Sequence, residues 1–234
     1  MHIKIAMILA AGRGERLRPF TDHTPKALYP IDNRLLAKFT AESEPTQQAN
    51  KSLLEYHLRK LDSAGIERVV INHAHLGGKI RQHVESLQAI QAFNFEIIYS
   101  PEPPGALETG GGIVNALRLL NDQAFITINA DIYTNYPLQQ LTLPVSSLVH
   151  LVLIPAPNGF DSGDFGLTSN NRVQNQQKDY LFSGIACYHP KFFTNMPYGR
   201  YSITPYLRQC ATHNNATGEI YTGVWFDILD FVLP

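Results

Sequence analysis

The chain has 234 residues, of which 44% are hydrophobic and only 17% charged, enough apolar matter for a sizeable core. Nineteen Lys and Arg against twenty Asp and Glu give a formal charge of -1, which removes the electrostatic case for nucleic acid or an anionic membrane as partner. No apolar run approaches the roughly 18 residues of a membrane helix, and Met1-His2-Ile3-Lys4 does not read as a signal peptide, so a cytoplasmic enzyme is expected.

In chain order, Ile3 to Leu9 is a nearly continuous apolar run, as a strand buried on both faces requires. Asp32 to Lys51 is polar, with Ser, Glu, Thr and Gln concentrated between 42 and 50, and reads as a surface insertion near 33–50 or a lid. Ser52 to Ala64 carries a helical stripe, with Ser52 and Glu55 fitting a capping box and Gly65 a stop. Val69 to Ile71 is a strand and Leu76 to Leu87 a helix. Phe95 to Tyr99, Gly111 to Leu120 and Phe125 to Ile128 continue as strand, helix and strand. Such alternation means βαβ units and a mainly parallel sheet with helices on both faces. Past the core strand His150 to Ile154 the pattern changes. Short segments around Phe165, Tyr180 to Tyr188 and Gly223 to Ile228 read as strands, with a helix near Ile203 to Ala211, together closing over the parallel core. One domain, 1–234, is expected.

The segment Leu9-Ala10-Ala11-Gly12-Arg13-Gly14-Glu15-Arg16-Leu17-Arg18-Pro19 follows the first strand, where such folds place their first ligand-binding turn. Gly12 and Gly14 let backbone N–H groups approach a phosphate, while Arg13, Arg16 and Arg18 supply charge. A dinucleotide fingerprint would need glycine at Leu17, and a Walker A Gly-Lys-Ser/Thr is absent. Pro19 and Pro25 fix the path that delivers Lys26, a candidate for stabilising phosphoryl-transfer charge. Asn72 to His75, Glu108 to Gly112 and Asn129 to Asp131 follow the second, third and fourth strands, so all should meet the 12–26 loop in one crevice. The glycine triplet offers unhindered backbone to a base or ribose edge. Asp131 and Asp227 could hold Mg²⁺ through oxygen. His73 and His75, with no third clustered ligand, read as hydrogen-bonding groups, not a zinc pair. Cys187 reads as core packing, and neither it nor Cys210 sits in a CxxC.

Residues 9–28, LAAGRGERLRPFTDHTPKAL, match throughout the signature LAAGxGxRLxPxTxxxPKxL of the sugar-phosphate nucleotidyltransferases, or nucleotide-sugar pyrophosphorylases, which the chain resembles over 3–31 and 51–228. Val70 to Ala74, Tyr99 to Glu102, Leu107 to Gly112, Gly163 to Phe165 and Phe182 to Ile185 resemble most the branch acting on N-acetylmuramate 1-phosphate with UTP in peptidoglycan recycling. The resemblance implies a Rossmann-like α/β fold and Mg²⁺-assisted attack of a sugar 1-phosphate on the α-phosphorus of a nucleoside triphosphate. By position it implies nucleotide contacts at Ala10, Ala11, Gly12, Arg13, Gly14, Lys26, Gly110 and Asn129. Arg16 would clamp pyrophosphate, with Arg16, Lys26 and Asp131 catalytic. Asn129, Asp164 and Glu108 would face the sugar, and Asp131 and Asp227 the metal. The chain departs from the family at its 33–50 insertion, at Ala130 in place of glycine, and at an end soon after Asp227. Guanylyl transfer to mannose 1-phosphate, thymidylyl transfer to glucose 1-phosphate and a non-catalytic binding module stay open alternatives.

Overall fold

The computed structural model describes residues 2–31, 51–90, 92–156 and 162–229. The expected insertion near 33–50 and the chain beyond Leu229 lie outside the described residues. Strand β1 (Ile5–Leu9) alternates its side chains between two buried faces, Ala6 and Ile8 into one apolar cluster and Ile5 and Met7 into another. Burial of a whole Ile or Met side chain such as Ile5, Met7 or Ile8 contributes about 1.5–3 kcal/mol. Parallel neighbours follow by right-handed crossover logic: β2 (Arg68–His73), β3 (Glu96–Pro101) and β4 (Phe125–Asn129). The helices between them are α1 (Leu53–Ser63), α2 (Gly77–Ala89) and α3 (Glu108–Ala116). Ser52 Oγ accepts the Glu55 N–H at 3.0 Å, the cap the sequence announces.

The second half extends this sheet in its plane instead of closing over it, which corrects the expectation. Strand β6 (Val149–Pro155) and β10 (Ala216–Ile220) run parallel to each other, and β9 (Tyr180–Tyr188) lies antiparallel between β4 and β6. The seven-stranded order is β10-β6-β9-β4-β1-β2-β3. Helix α4 (Thr204–Thr212) packs on the second cluster through Leu207, Cys210 and Ala211. Cys187 is buried on the opposite face, as packing. The remaining strands form two ribbons, β5 (Ile132–Thr134) with β11 (Trp225–Asp227), and β7 (Gly166–Leu167) with β8 (Val173–Gln174). Beneath the β5–β11 ribbon Leu17, Leu53, Tyr56, Tyr133 and Phe226 form a third cluster. No helix among the described residues is long and apolar enough to cross a membrane.

Candidate active site

The carboxyl ends of β1, β2 and β4 face one side, and the loop after β1 folds across them. Gly14 takes a left-handed φ of 69° with its carbonyl receiving both the Leu17 N–H and the buried Thr21 hydroxyl, each at 2.9 Å. A Cβ at Gly14 would meet Thr21 Cγ2 at 3.1 Å and Lys26 Cδ at 3.3 Å, so loop and lysine are packed together. The His75 ring nitrogen bonds the Thr21 carbonyl at 2.9 Å, the hydrogen-bonding role expected for that histidine. His73 is buried against Gly77.

Two cavities share the walls of this loop, with Leu9, Gly12, Gly14, Glu15 and Asp131 common to both. The narrower, 290 Å³, is lined among others by Ala10, Gly12, Arg16, Lys26, Asp131 and Leu229. The wider, 420 Å³, is lined by Ala11, Arg13, Glu108, Asn129 and Arg200 together with the shared loop residues. Ten of the expected residues, from Ala10 to Asp131, therefore meet in one crevice. Arg16 is exposed there, but Arg13 and Arg18 both reach Asp22, at 3.2 and 2.9 Å. Much of the arginine charge expected on the loop is thus neutralised locally.

At the base of the crevice Lys26 Nζ lies 2.6 Å from Asp131 Oδ2 and 3.4 Å from Asp227 Oδ1, with its side chain only 10% exposed. Asp227 also accepts the Leu229 N–H at 2.9 Å. Burial, then the Asp131 charge, push the Asp227 carboxyl above the usual carboxylate range, partly offset by Lys26. Among the described residues both carboxylates thus meet the same Lys26 ammonium.

Three expected residues stand apart from the cavity linings. Gly110 donates its N–H to the Tyr201 carbonyl at 3.0 Å, and the room around the triplet is filled by protein: Tyr201 at Gly110, the Gly199 carbonyl at Gly111, Glu102 and Asn72 at Gly112. The glycines serve close packing, not an open face for a base. Asp164 Oδ2 accepts the Phe182 N–H at 2.9 Å and anchors the start of β9. Asp227 sits behind Lys26. Likewise the N–H of Ala10, expected in the nucleotide-binding backbone, is taken by Asn72 Oδ1 at 2.7 Å.

Sequence reasoning missed the continuation of that contact. Asn72 Nδ2 donates to Glu102 Oε1 at 2.6 Å, and Glu102 Oε2 accepts the Leu107 N–H at 2.7 Å. This chain ties the β1 loop to the 103–107 turn, whose Gly105 and Ala106 line the wider cavity. Burial raises the Glu102 carboxyl, against those two hydrogen bonds. The Pro103-Pro104-Gly105 sequence marks a turn, but Arg200, which pairs with Glu108 at 3.4 Å, carries no local signal.

The sequence profile of the MobA-like NTP transferase domain matches residues 6–142. An N-acetylmuramate alpha-1-phosphate uridylyltransferase of Neisseria meningitidis serogroup B is 38% identical, over 95% of this chain and 92% of the relative. One of the same name from Caulobacter vibrioides is 28% identical over 97% and 92%. Among solved structures, HddC from Yersinia pseudotuberculosis superposes with a TM-score of 0.72 at 19% identity, covering 98% of this chain and 94% of that one.

Proposed function

The chain belongs to the MobA-like NTP transferase family and is a sugar-1-phosphate nucleotidyltransferase; from that premise we propose that it joins UTP and N-acetylmuramate α-1-phosphate into UDP-N-acetylmuramate and pyrophosphate. The observation that carries the choice of base and sugar is the 38% identity spanning 95% of the chain with a relative of that name. The product and the name of that relative fit peptidoglycan recycling in the cytoplasm.

In this reading a phosphate oxygen of the sugar 1-phosphate forms a bond to the α-phosphorus as the bond from that phosphorus to the bridging oxygen breaks. The bonding pair leaves with pyrophosphate, and no covalent enzyme intermediate is required. Catalysis is then positioning plus charge neutralisation. The loop of Ala11 to Gly14 would carry the triphosphate, Arg16 the departing pyrophosphate, and Lys26 the reacting phosphates. Asn129 and Glu108 would face the sugar side in the wider cavity, near Arg200, a cation suited to an acidic sugar. Asp164 would act through the β9 backbone that it holds.

The residues present fit Mg²⁺. The Asp131 carboxylate just before β5 and the Asp227 carboxylate at the end of β11 both meet Lys26, and Mg²⁺ ordinarily takes one or two carboxylates together with substrate phosphates. Held by Asp131 and Asp227, it would supply neutralisation of phosphate charge. No cluster of three or more acidic, His or Cys groups occurs among the described residues, so the phosphates would complete the coordination.

Pyrophosphate release, measured for each nucleoside triphosphate with each sugar 1-phosphate, tests the proposal. The UTP and N-acetylmuramate 1-phosphate pair should give the highest kcat/KM. Preference for GTP with mannose 1-phosphate would overturn the uridylyl assignment, and silence from every pair would overturn transfer itself.

A further inference from the structure

The two acidic residues at the base of the crevice are not carried on the main sheet. Asp131 immediately precedes β5 and Asp227 ends β11, so their separation is set by a ribbon of two three-residue strands. Such a ribbon is marginal on its own. One edge of β5 is paired with β11: Asp131 O accepts the Ile228 N–H at 2.9 Å, Tyr133 faces Phe226, and the Asn135 N–H reaches Val224 O at 3.2 Å.

The Ile132 and Thr134 carbonyls of β5, and the Tyr136 carbonyl just past its end, point the other way, where a third strand would lie in a wider sheet. Side chains of helix α1 take that strand's place. His57 Nε2 meets Ile132 O at 2.9 Å; the carbonyl can only accept, so this nitrogen carries the proton. Tyr56 hydroxyl and Lys60 Nζ both donate to Thr134 O at 2.7 Å, and Lys60 Nζ also donates to Tyr136 O at 2.7 Å. One helical turn thus satisfies three successive outward carbonyls.

Packing runs the same way. The rings of Tyr56, Tyr133 and Phe226 stack in a column from α1 through β5 to β11, with centroids 4.7 and 4.8 Å apart. Burial holds His57 neutral and lowers Lys60 to about 8. These groups are 1 to 5% exposed at His57 and Tyr56, and none lines the crevice, so a role in contacting substrate is not open to them.

We propose that Tyr56, His57 and Lys60 are positioning residues: they fix the ribbon so that Asp131 and Asp227 stand at the spacing a divalent cation and its accompanying triphosphate require. The proposal rests on the transferase reading, but its test does not depend on turnover alone. The chain has a single tryptophan, Trp225, which lies on β11 two residues before Asp227 and donates to Ser183 O at 2.8 Å. Its emission reports directly on the ribbon.

The test uses the full chain with Lys60→Met, Tyr56→Phe and His57→Leu, and with His57→Gln and Lys60→Arg as donors retained. Mn²⁺ binding is measured by electron paramagnetic resonance with and without UTP, Trp225 emission is followed during the same titration, and kcat is measured against Mg²⁺. Loss of the Lys60 or His57 donor should weaken Mn²⁺ binding and raise the Mg²⁺ requirement by about tenfold or more, the usual effect of removing a group behind a metal ligand. KM for UTP at saturating Mg²⁺ should move much less than kcat, and the Trp225 emission maximum should shift. His57→Gln should recover most of the binding that His57→Leu loses, and Tyr56→Phe, whose carbonyl keeps Lys60, should show the smallest change. Folded Lys60→Met and His57→Leu proteins with native Mn²⁺ affinity would overturn the proposal. Equal damage from His57→Gln and His57→Leu would also overturn it, as would unfolding of all the donor-loss variants, since the contacts would then be scaffold alone. Failure of the native protein to bind Mn²⁺ with UTP would do the same. If the native protein instead binds Mn²⁺ but releases no pyrophosphate from any pair, the transferase reading falls while the spacing of the carboxylates remains decided by the variants.

Discussion

Gly184→Ala tests how the sheet positions the crevice. In β9, four steps from Phe182 to Ala186 face only two steps of β6, Leu153 to Leu151, so the strand bulges here. Gly184 sits in the bulge at φ 83°, and an added Cβ would lie 2.7 Å from Asn129 Nδ2, 2.8 Å from its Cγ and 3.0 Å from its Cβ. The whole Asn129 side chain would have to retreat by several tenths of an ångström, toward the wider cavity it lines. A left-handed backbone costs an alanine about 1–2 kcal/mol, and overpacking adds about 1–3 kcal/mol. Taken together at about 3 kcal/mol, the loss should lower Tm by roughly 6–12 °C in a chain of this size. Because Asn129 is two residues from Asp131, a shift of under an ångström should also reduce kcat/KM by about 10–100-fold. Circular-dichroism melts and pyrophosphate release measure both effects. A Tm within about 2 °C of native, with unchanged kinetics, would refute the close approach and the role assigned to the bulge.

Lys26→Met should leave the fold intact and lower kcat by about 10²–10³-fold, the range for one preorganised charge; near-native turnover would show that Lys26 is not at the reacting phosphates. Asp131→Asn should lose activity to a similar extent, and chelation of divalent cations should abolish native turnover reversibly, while a chelator-resistant rate would remove Mg²⁺ from the scheme. His57 is buried with its pKa pushed down to about 3 from 6.5, chiefly by desolvation. Between those values the unfolded chain binds a proton that the folded chain does not, so stability rises with pH across that window and levels above it. Urea unfolding from pH 4 to 8 should show that slope, at most about 1.4 kcal/mol per pH unit from this group, flattened in His57→Gln; an identical slope in the variant would assign acid sensitivity elsewhere. Asp22→Asn should release Arg13 and Arg18 from their shared partner and lower KM for the nucleoside triphosphate, whereas an unchanged KM would place both arginines out of reach of phosphate.

The first half of the fold was legible because its signals are local. A capping box at Ser52 and Glu55, apolar runs at 3–9 and 69–71, and glycines at turns define elements that need no partner to be recognised. The β10 sequence Ala-Thr-Gly-Glu-Ile has no such pattern; it is a strand because β6 offers it a parallel edge. The same distinction separates the site residues. Gly14, Arg16, Lys26 and Asp131 follow strand ends, and topology alone brings strand ends together. Which way Gly110 or Asp164 faces depends on Tyr201 and Phe182, remote in sequence. The hydrogen bonds from Ala10 to Asn72 and from His57 to Ile132 span 62 and 75 residues. Nothing in the residues themselves distinguishes a buried histidine that packs from one that holds a strand.

The near-neutral charge of the chain acquires a local meaning from this arrangement. A triphosphate is strongly anionic, yet Asp22 and Glu15 engage Arg13 and Arg18, and Lys26 is shared by two carboxylates. Among the described residues Asp131 and Asp227 both engage the one ammonium of Lys26 at the base of the crevice. The Asp227 carboxyl is raised first by burial and then by the Asp131 charge, so part of that rise is repulsion between the two carboxylates. In the proposed reading a divalent cation arriving with the triphosphate would make ligands of the two carboxylates. On the proposed reading the site would take the metal–nucleotide complex, and would do so only while the ribbon keeps both carboxylates facing Lys26. Charge balance and ribbon geometry would then be one requirement, which is why substitutions in a helix remote from the substrate test the site.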